Sequence, residues 1–311
     1  MDQHHPAASA PARTEPTAAA PAPPSPVAES QAGLQAPPRN PPAHILADRI
    51  AITLDDELVA KAQEVLAKDN KPVAPFWVNK YKQNAAKNWD QFYKRNTTNF
   101  YKDRHWTERE FPELQFGDEK KVVFEVGCGV GNFIFPLIKS HPNMVAYACD
   151  FSATAVSFVQ SHELFDPSRC TAFVADLTKD DVTAIVPAGT VDLLSAIFVL
   201  SAIPPEKMDY AVENLARVLA PGGKVLFRDY GRYDQAQLRF KPGHRLEDGL
   251  YVRQDGTMAF YFTVEMLSEL FQRHGFDVEV CQYVIKKTVN RKKELEMDRV
   301  FVQGKFVKRA S

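Results

Sequence analysis

The sequence predicts an α/β fold: an open, mostly parallel seven-stranded sheet with helices on both faces, preceded by a helical extension. Three observations carry this. Between residues 121 and 230, apolar runs of strand length alternate with helical patterns, the order that builds a parallel sheet. The first run, KVVFEVGCGVGN at 121–132, passes straight into glycines at alternate positions, Gly127, Gly129 and Gly131. The next two runs each end in an aspartate, Asp150 and Asp176. Polar groups thus collect at one sheet edge, where open α/β sheets bind ligands.

Taken in order, residues 1–45 are dominated by Ala and Pro and hold almost no large apolar side chains. Such a tail cannot bury enough surface to offset its ordering entropy, so disorder is expected. It has no apolar leader core, and Asp2, Glu15 and Glu29 face only Arg13 and Arg39, which speaks against a mitochondrial presequence. Residues 46–118 form the helical extension. In 46–70, Ile50, Leu54, Leu58, Val65 and Leu66 make a loose helical stripe, with Asp55, Asp56 and Glu57 early and Lys61 and Lys68 late, as the helix dipole favours.

Residues 71–106 carry eight lysines and arginines against two acids, Asp90 and Asp103, and all three tryptophans of the chain. Cations interleaved with rings suit single-stranded RNA, where phosphates meet charge and bases stack on aromatics. The plain alternative is an amphipathic helix whose Trp89, Phe92 and Tyr93 pack on the core while its lysines stay solvated.

Residues 119–311 are expected to form the α/β domain proper. Strands are expected at 122–126, 144–149, 171–175, 191–197 and 224–227. A helix at 210–219 is ended by Pro221-Gly222-Gly223. An insertion at 228–262 interrupts the alternation, and its Asp255-Gly256 marks a tight hairpin. It lies just past the fifth strand, well placed to hold a substrate. Thr263 caps a helix at 264–274, and antiparallel strands at 276–283 and 299–307 flank a basic loop at 286–293.

Formal net charge is −1, so no global basic field advertises nucleic acid. Cys128, Cys149, Cys170 and Cys281 form no C-x-x-C pair and no Cys/His cluster, which argues against zinc or a disulfide framework. A reducing compartment is expected, the cytoplasm first and the nucleus second. No apolar run approaches the ~18 residues of a membrane span.

The G-x-G-x-G form, with Asn132 where the dinucleotide fingerprint places its third glycine, resembles that of S-adenosylmethionine-dependent methyltransferases of the Rossmann-like class I. Asp150 lies about 20 residues past the turn, where an acid accepts hydrogen bonds from both ribose hydroxyls. Asp176, or the backbone beside it, is placed to read the adenine amino group. The alternative for both acids is N-capping of the helices that follow.

The chain further resembles the tRNA N3-methylcytidine methyltransferases from about Asn88 onward. KNWDQFYKRNTTNFYKDRHW (87–106), EVGCGVGN (125–132), IFVLSAIPP (197–205), FRDYGRYD (227–234) and YVRQDGT (251–257) carry the likeness. It implies S-adenosylmethionine as donor and cytidine 32 of the anticodon loop as acceptor. It places cofactor contacts at Trp89, Tyr93, Gly127, Asp150, Asp176, Leu177 and Ile197, with Gly129 in the same glycine turn, and makes the Trp89–Tyr93 helix a lid. The KRNTTNF wording is similar to members acting on serine tRNA with seryl-tRNA synthetase. A monomer is expected.

Neutral cytosine carries a lone pair on N3, so no base must first remove a proton, and placement of N3 is the main demand. A flipped base must enter a pocket. A carboxylate beside it would stabilise the positive charge that methylation creates. Asp229 is the first candidate and Asp103 the second; the alternative for Asp229 is an ion pair with Arg228 or Arg104. Phe100 or Tyr101 could stack on the base. Arg104 and His105 could hold neighbouring phosphates, and Lys94, Arg95 and Arg228 complete the expected RNA surface. Two rival functions remain: methylation of a small molecule or protein, and a non-catalytic tRNA-binding partner of the same fold. No N/D-P-P-Y/F motif for adenine amino methylation follows the fourth strand, and no Pro-Cys or Thr-Cys pair supplies the nucleophile of carbon-5 cytosine methylation.

Overall fold

A computed structural model describes residues 49–98, 100, 102–290 and 295–310, and in it the sheet has eight strands rather than seven. The Ala/Pro-rich tail, Tyr101 and the basic Arg291, Lys292 and Lys293 lie outside the described residues. The added strand is β1 (Arg49–Ala51), followed by α1 (Asp56–Ala67). The expected helix over 46–70 is therefore shorter, because Asp55 caps it by accepting from the backbone N–H groups of Glu57 and Leu58. A three-residue strand shows no periodicity to read. It forms by pairing antiparallel with β10 (Phe276–Asn290), Ile50 opposite Val284, and so covers a sheet edge that would otherwise stay open.

Two helices, α2 (Pro75–Gln83) and α3 (Ala85–Asn96), and the short α4 (Thr107–Glu110) lead to the first parallel strand. Then come β2 (Val122–Val126), α5 (Ile134–Ser140), β3 (Val145–Asp150), α6 (Ala153–Gln160), β4 (Cys170–Val174), β5 (Val191–Ile197), α7 (Met208–Val218) and β6 (Leu219–Tyr230). The parallel order is β6-β5-β2-β3-β4, so the strand order reverses between β2 and β5, the point where such sheets bind ligands. Pro221-Gly222-Gly223 follows the end of α7 at Val218, as expected, but lies inside β6, and the β5–β6 register shifts between Val191 and Leu193. On the far side β11 (Leu295–Lys308) joins β6 antiparallel, followed by β10 and β1.

Alternate strand residues serve opposite faces, as a period of two requires. Phe124, Val126, Leu194 and Phe227 share one buried cluster with α7 and with α9 (Val264–Arg273). Val123, Leu193 and Leu226 share another with Ile134 and Leu137 of α5 and Val159 of α6. Val78 of α2 is buried in the first cluster, so the extension packs into the domain's own core. The insertion builds a second sheet from β7 (Arg245–Glu247), β8 (Leu250–Val252) and β9 (Met258–Phe260), with the expected hairpin at Asp255-Gly256, after the short helix α8 (Gln235–Leu238). All four cysteines are free thiols whose pKa burial raises, Cys170 to about 12 and Cys281 to about 11. Among the described residues no helix is long and apolar enough to cross a membrane.

Asp234 fixes the insertion to the sheet. It is fully enclosed and accepts from the N–H groups of Ala236 and Val300 and from Arg299 Nε at 2.9 Å. Removing the carboxylate leaves the Val300 N–H buried without an acceptor, at about 1–3 kcal/mol, while Arg299 keeps access to solvent. Asp234→Ala is expected to lose stability of that order in urea titration; a change within about 1 kcal/mol, the scale of a surface pair, would show that the pair fixes nothing.

Candidate active site

The carboxyl ends of β2, β3, β4 and β5 open into a cleft. Its walls include Gly127, Asp150, Asp176, Leu177 and Phe198 from the sheet, and Trp89 and Tyr93 from α3. Gly127 has φ +59°, and a Cβ there would lie 2.6 Å from Val199 Cγ2. Gly129 has φ +53°, and its Cβ would lie 2.8 Å from Tyr93 Oη. Any larger residue would be strained and would push against β5's continuation or the lid.

Asp150 is buried at the end of β3. Its Oδ2 accepts from Gly129 N–H at 3.0 Å and its Oδ1 from Ser152 N–H at 2.9 Å. Desolvation by burial pushes its pKa up to about 6 against these bonds. Asp176 is held by its own turn: Oδ1 accepts from the Thr178 N–H and hydroxyl, and Lys179 lies 3.0 Å from Oδ2. Burial opposes its charged form, but these partners outweigh it and keep its pKa below the usual range. Ile197 is buried beneath the cleft, outside its lining. Its carbonyl accepts from Arg104 Nη1 at 3.1 Å.

The lid helix α3 is pinned at two points. Asp90 Oδ1 accepts from Ser152 Oγ–H at 2.7 Å and from Thr154 N–H at 3.0 Å, and Lys94 lies 2.7 Å from its Oδ2. Burial of Asp90 is outweighed by these partners, which hold its carboxyl well below the usual range. Asn88 Nδ2 donates to the Gly256 carbonyl at 2.8 Å, tying the other side of α3 to the β8–β9 hairpin. Phe92 and Tyr93 are buried with Val130 and Ala155, so the aromatic stripe packs on the core as an amphipathic helix would. Trp89 Nε1 is buried with no hydrogen-bond partner among the described residues.

Two expectations are corrected. Arg228 is 2 % exposed and cannot meet a phosphate. Its guanidinium pairs with Glu110, donates to Gln303 Oε1 at 3.1 Å and lies over the Trp106 ring. Asp229 is fully enclosed and does not line the cleft. Its oxygens accept from the N–H groups of Ser201 and Tyr230, both at 2.9 Å, so its carboxylate holds the turn after β5 against β6. Burial raises its pKa to about 6.

Asp103, the second candidate for stabilising the ring charge, and the other described RNA candidates lie outside the cleft lining. Asp103 and His105 are exposed, 4.0 Å apart. Phe100 is 51 % exposed and meets Phe92 edge-on at 4.9 Å. Arg95 is exposed, and Lys94 shares its charge with Asp90. Lys82 pairs with Glu206 and Glu247, so part of the basic excess at 71–106 is neutralised within the fold. Sequence reasoning missed Phe198, Val199, Ala202 and Ile203 of the cleft wall, although they fall within the IFVLSAIPP stretch.

A family model for a methyltransferase domain matches residues 93–280. The chain is 50 % identical over 255 residues to human tRNA N(3)-cytidine methyltransferase METTL6, covering 81 % of this chain and 90 % of that one. It is 43 % identical to tRNA N(3)-methylcytidine methyltransferase trm141 of Schizosaccharomyces pombe, covering 76 % of this chain and 97 % of that one. A methyltransferase of Anabaena variabilis shares the fold at a TM-score of 0.55 and 14 % identity, over 77 % of this chain and 98 % of that one. With the glycine turn, the acid after β3 and the lid already in place, these likenesses make the chain a member of the tRNA N3-cytidine methyltransferase family.

Proposed function

We propose that this protein methylates N3 of cytidine 32 in the tRNA anticodon loop, with serine tRNA as its substrate and seryl-tRNA synthetase as a partner, acting as a monomer in the cytoplasm. Membership of the family and the S-adenosylmethionine-dependent fold support the reaction. The single observation that carries it is the lidded cleft, with Asp150 and the glycine turn on one side and Trp89 and Tyr93 on the other. Nucleotide 32 rests on the likeness to the family as a whole, and serine tRNA and the synthetase on the likeness of KRNTTNF at 94–100 to the serine-type members.

The cleft fits the cofactor. Gly127 and Gly129 leave space that a Cβ would fill, Asp150 keeps lone pairs for ribose hydroxyls, and Trp89 offers an N–H that no described residue accepts. Bound S-adenosylmethionine supplies a sulfonium methyl, an electrophile that needs no activation by the protein. Asp150 and the turn after β4 hold the nucleoside end, while α3 covers the site and excludes water. The N3 lone pair forms the new C–N bond, the S–C electron pair stays on sulfur, and the positive charge passes to the cytosine ring. No proton moves, so no general base is required.

The deciding experiment is mass spectrometry of nucleosides from tRNA of a deletion strain. N3-methylcytidine should vanish from serine tRNA and return with the wild-type gene. Its persistence would remove the substrate assignment.

Asp150→Ala should weaken cofactor binding by about 1.5–3 kcal/mol, the worth of charge-assisted hydrogen bonds. The ribose hydroxyls require the ionised carboxylate, and Asp150 protonates as pH falls through about 6. Affinity measured by calorimetry should therefore decline below that pH, and Asp150→Asn should flatten the decline. An unchanged profile in Asp150→Asn would assign the titration to another group.

Arg95→Glu, which leaves the Asp90–Lys94 pair intact, should weaken tRNA binding and spare cofactor binding. The deficit should shrink as salt rises, since phosphate contacts act through counterion release. Equal tRNA affinity at low salt would take Arg95 out of the RNA surface.

A further inference from the structure

Phe198 follows β5 directly and has φ +59°. An aromatic residue rarely occupies the left-handed region, and such residues persist where the surroundings impose the conformation, often at functional sites. Here the imposing contact is the Phe198 N–H donating to the Arg228 carbonyl at 2.7 Å. The resulting turn brings Phe198 into the cleft wall. The ring is backed by Tyr230 at 5.1 Å and by Phe301 at 5.7 Å between centroids. Arg104, anchored on the Ile197 carbonyl, sets its guanidinium 5.8 Å from the ring centroid and fixes it further. Tyr230 in turn meets Tyr261, next to β9 of the insertion, at 5.7 Å. A wall of aromatic rings thus runs from the insertion to the cleft, and Phe198 is the ring at which the two meet.

We propose that Phe198, supported by Tyr230, is the platform on which the flipped acceptor base stacks inside the cleft. This deepens the tRNA cytidine reading and rests on it. The site takes a planar pyrimidine, since a π face attracts any base by stacking and the cleft wall offers a ring already held in place. Phe100, the earlier stacking candidate, lies edge-on to Phe92 and outside the cleft lining, whereas Phe198 lies within it.

The test compares Phe198→Leu, which keeps an apolar side chain without a π face, with Phe198→Tyr, which keeps the ring. Single-turnover methyl transfer is measured at saturating cofactor and tRNA, alongside cofactor affinity and melting temperature. A second tRNA carries pyrrolo-cytosine at the acceptor nucleotide, whose fluorescence is quenched by stacking. Phe198→Leu should slow transfer about 10- to 100-fold, the scale of one base–aromatic stack. It should leave the bound probe bright, and keep cofactor affinity and melting temperature near wild type. Phe198→Tyr should restore both rate and quenching. Wild-type rate and quenching in Phe198→Leu would overturn the platform while leaving the tRNA reading intact. A parallel fall in cofactor affinity and melting temperature would make Phe198 a packing residue and overturn it as well. A wild-type protein that methylates no tRNA cytidine would overturn both readings together.

Discussion

The cleft depends on a relay of hydrogen bonds that runs from the buried carboxylate of Asp150 to the half-buried one of Asp90. Asp150 gathers the N–H groups of Gly129 and Ser152, and the Ser152 hydroxyl passes to Asp90 on the lid helix. A buried charge without donors is costly, and backbone N–H groups of two turns are the donors at hand. Satisfying the acid therefore fixes the glycine turn, the turn after β3 and the lid in one arrangement. The apolar contacts of Tyr93 with Val130 and Ala155 fill the space that this relay defines.

Electrostatics in the rest of the domain follow the same logic of internal satisfaction. Arg232 is engaged by Asp248, Arg228 by Glu110, and Lys224 and Lys305 by Glu113. These cations fasten the insertion and the segment before β2, and one of them, Arg228, is among those that look like an RNA footprint in sequence. Within 71–106, Lys82 is engaged by Glu206 and Glu247 and Lys94 by Asp90, so the basic excess offered to a polyanion is smaller than the residue count implies, and Arg95 is among its exposed members.

Much of this was legible in the sequence, for identifiable reasons. The parallel strands were readable because each is an apolar run bounded by turn residues, and Asp150 because its distance from the glycine turn is set by one strand–helix–strand passage. Strand β1 was not, since three residues carry no period and it exists only through pairing with β10. The enclosure of Asp229 was hidden because β6 is covered on both faces, a property of the assembled layers and not of FRDYG. Phe198 was missed for a different reason: nothing in IFVLSAIPP marks a left-handed aromatic, and the Arg228 carbonyl that imposes it lies thirty residues away.

The cysteines bear on how the protein meets oxidants. Cys149 lies in the cleft wall and Cys128 in the glycine turn, yet desolvation keeps both thiols protonated at neutral pH. Peroxide and alkylating reagents attack the thiolate, so these sulfurs are poor targets despite their position. A single cysteine introduced on the outer face of α3 would therefore be the preferred site for a maleimide dye.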